Sequence, residues 1–81
     1  MKLYNLESCP FCAMVRKKLA DLALKYVRIE VPPARTFREE VFKVSGQYTV
    51  PVLVDGETVL ADEYEIIAYL EARYGKNSGK E

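Results

Sequence analysis

The segment Ser8-Cys9-Pro10-Phe11-Cys12 decides how the start of this 81-residue chain folds. Before it, Lys2 to Leu6 is a short apolar run that is typical of a β-strand. Proline is favoured at the first position of a helix, so Pro10 predicts that Cys9 is the residue that caps one. Apolar residues then recur at helical spacing, with charged residues between them, to about Leu24. The chain is therefore predicted to begin with a strand, a turn that carries Cys9, and a helix.

The two cysteines of this segment, Cys9 and Cys12, are the candidate catalytic residues. A thiolate at a helix start is stabilised by unpaired backbone N–H groups and by the helix dipole, so Cys9 is the predicted nucleophile. Cys12 lies one turn further along the same face, close enough to attack a mixed disulfide on Cys9, and is the predicted resolving thiol. Counting alone leaves other roles open, namely two structural thiols, half of a zinc site, or an iron-sulfur cluster shared between two subunits.

Downstream of the first helix, the pattern predicts one more strand and one more helix. Tyr26 to Val31 alternates apolar and charged residues, and Pro32-Pro33 ends this strand. Thr36 and Glu39 form a capping box, which opens a helix that Ser45-Gly46 closes. The residues expected on the inward side of that helix are Phe37, Val41, Phe42 and Val44.

The C-terminal part of the chain predicts a hairpin followed by a last helix. Asp55-Gly56, a strong signal for a two-residue turn, separates Val52-Leu53-Val54 from Glu57 to Leu60. The last helix begins near Asp62 and stops at Gly75. The order βαβαββα requires a parallel strand pair from the first crossover and an antiparallel pair from the hairpin. The fold class is therefore predicted to be α/β, a mixed four-stranded sheet flanked by helices over residues 1–75, with a polar tail at 76–81.

Length, charge and composition exclude several classes of function. A chain of 81 residues supports a single domain. Its 12 basic and 12 acidic residues cancel, so bulk charge favours neither nucleic acid nor a membrane surface. The sequence has no histidine, which excludes His-based catalysis and Cys/His zinc sites, and no apolar run approaches a membrane span. The resulting expectation is a cytoplasmic monomer without a metal ion or other bound cofactor.

A second group of residues, Thr49-Val50-Pro51, lies well downstream of the cysteines. Together with Cys9-Pro10-Phe11-Cys12 and Ala61-Asp62-Glu63, it resembles glutaredoxins of the thioredoxin superfamily, over residues 2 to about 75. The resemblance implies a thioredoxin-like fold in which Pro51 is cis and faces the cysteines. It also implies that the main chain of Val50 pairs with the cysteine residue of glutathione like a short added strand.

The same resemblance implies that Asp62 and Glu63, at the start of the last helix, hold the γ-glutamyl end of glutathione. Helix N-terminal N–H groups attract a carboxylate, and the Asp62 carboxylate can accept from the ligand's ammonium group. The two acidic residues could equally serve only as helix caps. Pro10, Phe11 and Thr49 complete the predicted substrate-binding set.

The chain departs from the glutaredoxin pattern in two places. Many glutaredoxins carry a lysine three residues before the first cysteine, where this chain has Leu6, so Cys9 is expected to depend mainly on backbone dipoles. Val59-Leu60 stands where glutaredoxins usually have Gly-Gly, and the stretch from there to Gly75 is similar to the end of glutathione S-transferase N-terminal domains. The cations Arg16, Lys17 and Lys18 lie too far along the first helix to replace the lysine. Arg38, Lys43 and Gln47, around the second helix, are the remaining candidates, although each is more simply interpreted as a solvated surface group.

The function predicted from these residues is a glutaredoxin-type thiol-disulfide oxidoreductase. Glutathione, or another small thiol, would be its co-substrate, and it would reduce protein disulfides or glutathione mixed disulfides. The alternative is a binding module of glutathione S-transferase N-domain type, which holds glutathione or an iron-sulfur cluster with little turnover.

Overall fold

Seven elements follow one another in the predicted order βαβαββα. The computed structural model of the protein describes residues 1–33 and 38–75. The elements are β1 (Lys2–Asn5), α1 (Pro10–Asp21), β2 (Val27–Glu30), α2 (Glu39–Ser45), β3 (Val52–Asp55), β4 (Thr58–Leu60) and α3 (Glu63–Tyr74). Thr36 and Phe37, which carry part of the second-helix prediction, and the predicted tail at 76–81 lie outside the described residues.

The four strands form one mixed sheet in the order β2-β1-β3-β4. β1 is parallel to β2 and antiparallel to β3, and β3 is antiparallel to β4, as the sequence predicts. Tyr4 pairs with Val52, so the end of β1 and the start of β3 lie at the same edge of the sheet. Leu60 pairs with Leu53, which brings the end of β4 to that edge as well. The loops after β1, before β3 and after β4 therefore converge.

Each face of the sheet covers its own hydrophobic cluster. The cluster between the sheet and the two long helices consists of Leu3, Val15, Leu19, Leu53, Ile66 and Leu70. The cluster under α2 consists of Tyr4, Val31, Val41 and Val52. Successive strand residues point to opposite faces, which is why neighbours such as Leu3 and Tyr4 belong to different clusters. None of the described helices is long and apolar enough to span a bilayer.

The second helix differs from its prediction in its start and in one inward residue. It begins at Glu39 with Arg38 as its cap, and Val41 is buried. Phe42 was expected to point inward, but it is 45% exposed and stacks on Tyr48 with ring centroids 4.6 Å apart. A helix of seven residues buries only a narrow stripe, and the i, i+3 pair Val41 and Val44 occupies it, so Phe42 falls outside that stripe.

The last helix is fixed to the hairpin by a shared carboxylate. Asp55 Oδ2 accepts hydrogen bonds from the hydroxyl groups of Tyr74 at 2.6 Å and Tyr69 at 2.8 Å. Both hydrogen bonds lower the pKa of Asp55, and the bond from Tyr74 has the larger effect. Lys18 adds a 2.7 Å ion pair from α1 to Glu71, so α3 is held from both sides.

The first helix ends in a left-handed residue that is not glycine. Ala23 has a φ of 56°, and the N–H groups of Ala23 and Leu24 donate to the carbonyls of Ala20 and Leu19, both at 3.0 Å. A side chain in this conformation costs about 1 to 2 kcal/mol, whereas glycine adopts it freely. This helix end would therefore accept glycine without loss of its hydrogen bonds.

We expect Ala23→Gly to raise the free energy of unfolding by about 0.5 to 1 kcal/mol, because relief of the left-handed strain outweighs the extra entropy of an unfolded glycine. Urea denaturation measures the change. The matched control is Gly46→Ala at the end of α2, where φ is 78° and an added Cβ would meet no atom within 4 Å. That variant should lose about 1 kcal/mol for backbone reasons alone. A less stable Ala23→Gly protein would contradict the prediction.

Candidate functional site

The converging loops enclose a groove of about 500 Å³ at one edge of the sheet. It collects most of the predicted site residues from three separate parts of the chain. The residues that line it are Leu6, Cys9, Pro10, Phe11, Arg38, Gln47, Thr49, Val50, Ala61, Asp62 and Glu63. Cys12 and Pro51 do not line the groove because both are buried.

Cys9 occupies the cap position of α1, as the sequence predicts. Its backbone is extended, with φ of -83° and ψ of 121°, and Pro10 follows as the first helical residue. The N–H of Cys9 donates to the Leu6 carbonyl at 3.0 Å, which closes the turn, and its carbonyl accepts from Ala13 at 3.1 Å. The side chain makes no capping hydrogen bond and is partly exposed in the groove. The first N–H groups of a helix lack partners within it, so the Cys9 sulfur lies where a negative charge is stabilised.

Cys12 is fully buried beneath Cys9. Burial raises the pKa of its thiol to about 11, and the neighbouring Cys9 adds to the rise. A hydrogen bond with the Leu6 backbone and the positive charge of Arg16 act in the opposite direction. Cys12 is therefore a protonated thiol at neutral pH, and the two sulfurs differ sharply in their access to solvent.

The raised pKa of Cys12 makes the folded state sensitive to alkali. An unfolded cysteine ionises near its ordinary pKa of 9.0, whereas folded Cys12 does so at about 11. Between these values the unfolded chain has released a proton that the folded chain still holds, so the free energy of unfolding falls as pH rises. This stabilising contribution is complete below the unfolded pKa and is lost as pH rises through the folded pKa.

Urea denaturation at a series of pH values from about 8 to about 11 should therefore show a steeper loss of stability for the natural chain than for Cys12→Ser. The hydroxyl groups of Tyr4, Tyr69 and Tyr74 also have raised pKa values, and they affect both proteins alike. The difference between the two slopes thus reports Cys12 alone. Equal slopes would show that burial does not raise the pKa of Cys12.

The second predicted group, Thr49-Val50-Pro51, enters the same groove from the start of β3. The Val50–Pro51 peptide bond is cis, which confirms that expectation. Thr49 donates from its hydroxyl to Gln47 Oε1 at 3.1 Å, and Pro51 is buried behind Val50. In the described part of the chain, neither main-chain polar group of Val50 is hydrogen-bonded. An extended ligand could therefore pair with Val50 without displacing an internal bond.

Asp62 and Glu63 line the groove where α3 begins. Asp62 Oδ2 accepts from the N–H groups of Tyr64 and Glu65, each at 3.1 Å, so Asp62 is the helix cap. The capping role that the sequence left open is thus present. It does not preclude ligand binding, because both hydrogen bonds use a single oxygen and the residue remains exposed.

Arg38 lines the groove in a setting that differs from its prediction. It was interpreted as a solvated surface group, but it is only 6% exposed. Its guanidinium donates to the carbonyls of Pro32 at 2.8 Å, Pro33 at 2.9 Å and Tyr48 at 3.0 Å. Proline runs leave carbonyls without regular strand or helix partners, and the fork of an arginine can satisfy several at once. The Pro32-Pro33 pair indicates carbonyls that need a hydrogen-bond donor, but it does not indicate which side chain supplies one.

Arg38 also contributes a positive charge to the groove. Over residues 1–33 and 38–75, it forms no ion pair with a carboxylate. Its positive charge is therefore not neutralised by a carboxylate partner in this part of the chain, and Arg38 lines the same groove as Asp62 and Glu63. Gln47 shares this wall, whereas Lys43 is exposed and does not line the groove. A ligand with an anionic end and a cationic end matches this polarity.

Among the described residues, no group of three or more His, Cys, Asp or Glu side chains is placed to hold a metal ion. Cys9 and Cys12 are both free thiols. The chemistry available in the groove is thus that of one accessible sulfur, one buried sulfur, an unpaired strand edge and a helix N-terminus.

Comparison with known proteins identifies glutathione S-transferases and a glutaredoxin among the relatives of this chain. The zeta-class glutathione S-transferase of Euphorbia esula is 36% identical over 76 residues, which are 91% of this chain and 34% of that protein. Glutaredoxin 3 of Escherichia coli is 27% identical over 60 residues, which are 73% of this chain and 72% of that protein. The chain spans about a third of the length of the transferases that it matches.

Solved structures give the same result. A glutathione transferase homologue from Drosophila mojavensis with bound glutathione has a TM-score of 0.85 at 38% identity, over 93% of this chain and 35% of that one. Isozyme E7 of Drosophila melanogaster has a TM-score of 0.82 at 41% identity, over 93% of this chain and 35% of that one. The fold is thus thioredoxin-like. The family of glutathione S-transferase N-terminal domains matches residues 3–78, and the chain belongs to that family.

Proposed function

We propose that the protein is a glutathione-dependent thiol-disulfide oxidoreductase. The observation that carries the proposal is the pair of sulfurs at the start of α1. Cys9 is accessible at the helix cap, and Cys12 is buried one turn behind it. A conjugating transferase has no use for a second sulfur in this position, whereas the reduction of a protein disulfide uses one to release the bound protein. The relationship to glutaredoxin 3 supports the same chemistry.

The proposed reaction is a sequence of exchanges in which sulfur atoms trade partners. The Cys9 thiolate attacks a substrate disulfide, forms a mixed disulfide with one half and releases the other half as a thiolate. With a protein disulfide as substrate, the Cys12 sulfur then attacks Cys9, and the reduced protein departs. Two glutathione molecules afterwards return the Cys9–Cys12 disulfide to the dithiol and leave as glutathione disulfide. With a glutathione mixed disulfide, a second glutathione can instead attack directly at Cys9.

The groove matches glutathione at three points. The free main chain of Val50 can pair with the backbone of the ligand's cysteine, which places the ligand sulfur beside Cys9. The start of α3, with Asp62 and Glu63, suits the zwitterionic γ-glutamyl end. The positive wall formed around Arg38 suits the carboxylate at the other end.

A second candidate function is a glutathione-binding module that turns over little on its own. The family match favours it, because most of the relatives are transferases about three times the length of this chain. Val59 and Leu60, in place of the glycine pair usual in glutaredoxins, also belong to the transferase-like part of the sequence. In this case the protein binds glutathione in the groove, but Cys9 does not cycle.

Turnover and binding measurements distinguish the two candidate functions. Turnover of a small glutathione mixed disulfide is measured with glutathione as donor and, separately, with a thioredoxin-type reductase as donor. Glutathione-supported turnover well above the uncatalysed rate is the expected result. Saturable glutathione binding by calorimetry without turnover from either donor would overturn the proposal in favour of the binding module.

A further inference from the structure

A line of polar side chains runs from the outer strand of the sheet toward Cys12. At its centre is Asn5, the last residue of β1, which is fully buried. Arg16 Nη1 donates to Asn5 Oδ1 at 2.6 Å. On the other side, Asn5 Nδ2 donates to the two carboxylate oxygens of Glu30 at 3.0 and 3.1 Å. Arg28 donates to Glu30 at 2.9 Å and so balances the charge of that carboxylate.

The geometry of α1 directs Arg16 toward Cys12. Residues four apart on a helix have Cβ atoms about 5 to 6 Å from each other on the same face. Helical side chains also lean toward the helix start, so Arg16 covers the turn that contains Cys12. The bond to Asn5 holds the guanidinium there, because β1 leads directly into Leu6, whose backbone hydrogen-bonds to Cys12.

The charge of Arg16 is not neutralised by a direct partner. Among residues 1–33 and 38–75, Arg16 forms no ion pair, and its hydrogen-bond acceptor is the neutral amide of Asn5. Asn5 thus separates the guanidinium from the Glu30 carboxylate while it satisfies both. An aspartate at position 5 would instead place a negative charge against Arg16 and cancel its effect on the sulfur.

We propose that Arg16, held in place by Asn5, is a positioning residue for the resolving step, in which its positive charge stabilises the Cys12 sulfur as it attacks the mixed disulfide on Cys9. The inference rests on the proposed exchange chemistry and assigns a residue to its second step. In that step a bond forms between the Cys12 and Cys9 sulfurs, and the bond from Cys9 to the substrate sulfur breaks. The proton that Cys12 loses ends on the departing thiolate, so no external oxidant or reductant is consumed.

Cys12 needs such help because its surroundings oppose a negative charge. Burial holds the pKa of Cys12 at about 11, and Arg16 works against this effect. The titratable and charged groups around the two sulfurs are Cys9 and Arg16 on α1, Glu30 behind Asn5, and Arg38, Asp62 and Glu63 in the lining of the groove. Arg16 is the cation among them that acts on Cys12 from its own face of the helix.

The size of the effect follows from two opposing terms. The charge of Arg16 changes the pKa of Cys12 by less than burial, the Leu6 hydrogen bond or Cys9 do, so its loss is expected to reduce the Cys12 thiolate by only about threefold at neutral pH. A thiolate of higher pKa is also a stronger nucleophile, which returns about half of that loss on a logarithmic scale. The net expectation is a resolving step about twofold slower at neutral pH.

Stopped-flow reaction with dithiobis-nitrobenzoate resolves the two steps in one trace. Cys9 attacks the reagent and releases one coloured thiolate, and Cys12 then displaces the second. Cys12→Ser, which lacks the second release, identifies that phase. The second-phase rate is measured from about pH 6 to about pH 9 for the natural chain, Arg16→Gln, Arg16→Lys and the control Lys17→Gln. Lys17 is exposed on the same helix and pairs with Asp21, so its loss changes net charge without touching Cys12.

We expect Arg16→Gln to slow the second phase about twofold at neutral pH, to move its pH dependence upward, and to leave the first phase unchanged. Arg16→Lys, which keeps the charge, should recover most of the rate, and Lys17→Gln should match the natural chain. Asn5→Asp should resemble Arg16→Gln. The inference is overturned if Arg16→Gln keeps the natural second phase, or if Arg16→Lys is as slow as Arg16→Gln, which would indicate a purely structural role. Absence of a first phase in the natural chain would instead refute the proposed function.

Discussion

Replacing Cys9 with serine is expected to reduce turnover of a glutathione mixed disulfide to the uncatalysed rate, a loss of roughly 100-fold or more. The loss of turnover is specific to the Cys9 sulfur, because a serine hydroxyl does not ionise at neutral pH and cannot enter a disulfide. The fold should tolerate the change, since the Cys9 side chain makes no capping hydrogen bond and is partly exposed. The turn is closed instead by the backbone bond from Cys9 to Leu6, which serine retains.

Cys12→Ser is the matched variant, since it removes the other sulfur from the same helical turn. It should keep turnover of a small glutathione mixed disulfide, because that path needs only Cys9 and a second glutathione. It should lose reduction of protein disulfides, where an internal sulfur must displace the bound protein. Loss of both activities in Cys12→Ser, with an unchanged unfolding midpoint, would contradict the assigned roles. Residual turnover by Cys9→Ser would show that Cys9 is not the nucleophile.

The elements of this fold that the sequence predicts are those specified by local chemistry. Pro10 sets the start of α1 because its fixed φ and missing N–H suit only that position. Asp55-Gly56 predicts the hairpin, but its two-residue turn is Gly56-Glu57, because Asp55 pairs with Thr58 and the positive φ of 62° falls on Gly56. In each case a few adjacent residues contain the whole cause, so no knowledge of the tertiary structure is required.

The meeting of Cys9, Val50 and Asp62 depends on topology. Cys9 follows β1, Val50 precedes β3 and Asp62 follows β4, and they converge because β3 is antiparallel to both neighbours. The sequence predicts the mixed sheet, but the order β2-β1-β3-β4 is not encoded in any short segment. The resemblance to glutaredoxins placed Pro51 near the cysteines, and the sheet order gives the physical reason.

The residues misjudged from the sequence are those whose setting is decided by other segments. Phe42 was expected inside because it is apolar, yet α2 turns Val41 and Val44 toward the sheet. Arg38 was expected to be a solvated surface group, yet it is buried and donates to three carbonyls of other segments. Periodicity locates a side chain on its own helix but not relative to a strand that packs against that helix.

Arg38→Met is expected to lower the free energy of unfolding by about 2 to 4 kcal/mol. The guanidinium donates to three carbonyls, those of Pro32, Pro33 and Tyr48, and a methionine of similar length leaves all three without this donor. Hydrogen bonds from a charged donor contribute about 1.5 to 3 kcal/mol each, but partial access of water to the loop carbonyls makes the total less than their sum. Urea denaturation at neutral pH measures the loss.

Lys43→Met is the control, because Lys43 is an exposed cation on the same short helix and does not line the groove. It removes the same charge and should leave stability within about 0.5 kcal/mol of the natural chain. Arg38→Lys distinguishes charge from geometry, since an ammonium group keeps the charge but cannot reach three carbonyls in fixed directions. It should therefore lie between the natural chain and Arg38→Met in stability. If Arg38→Met is as stable as Lys43→Met, the bonds to Pro32, Pro33 and Tyr48 do not hold this wall of the groove together.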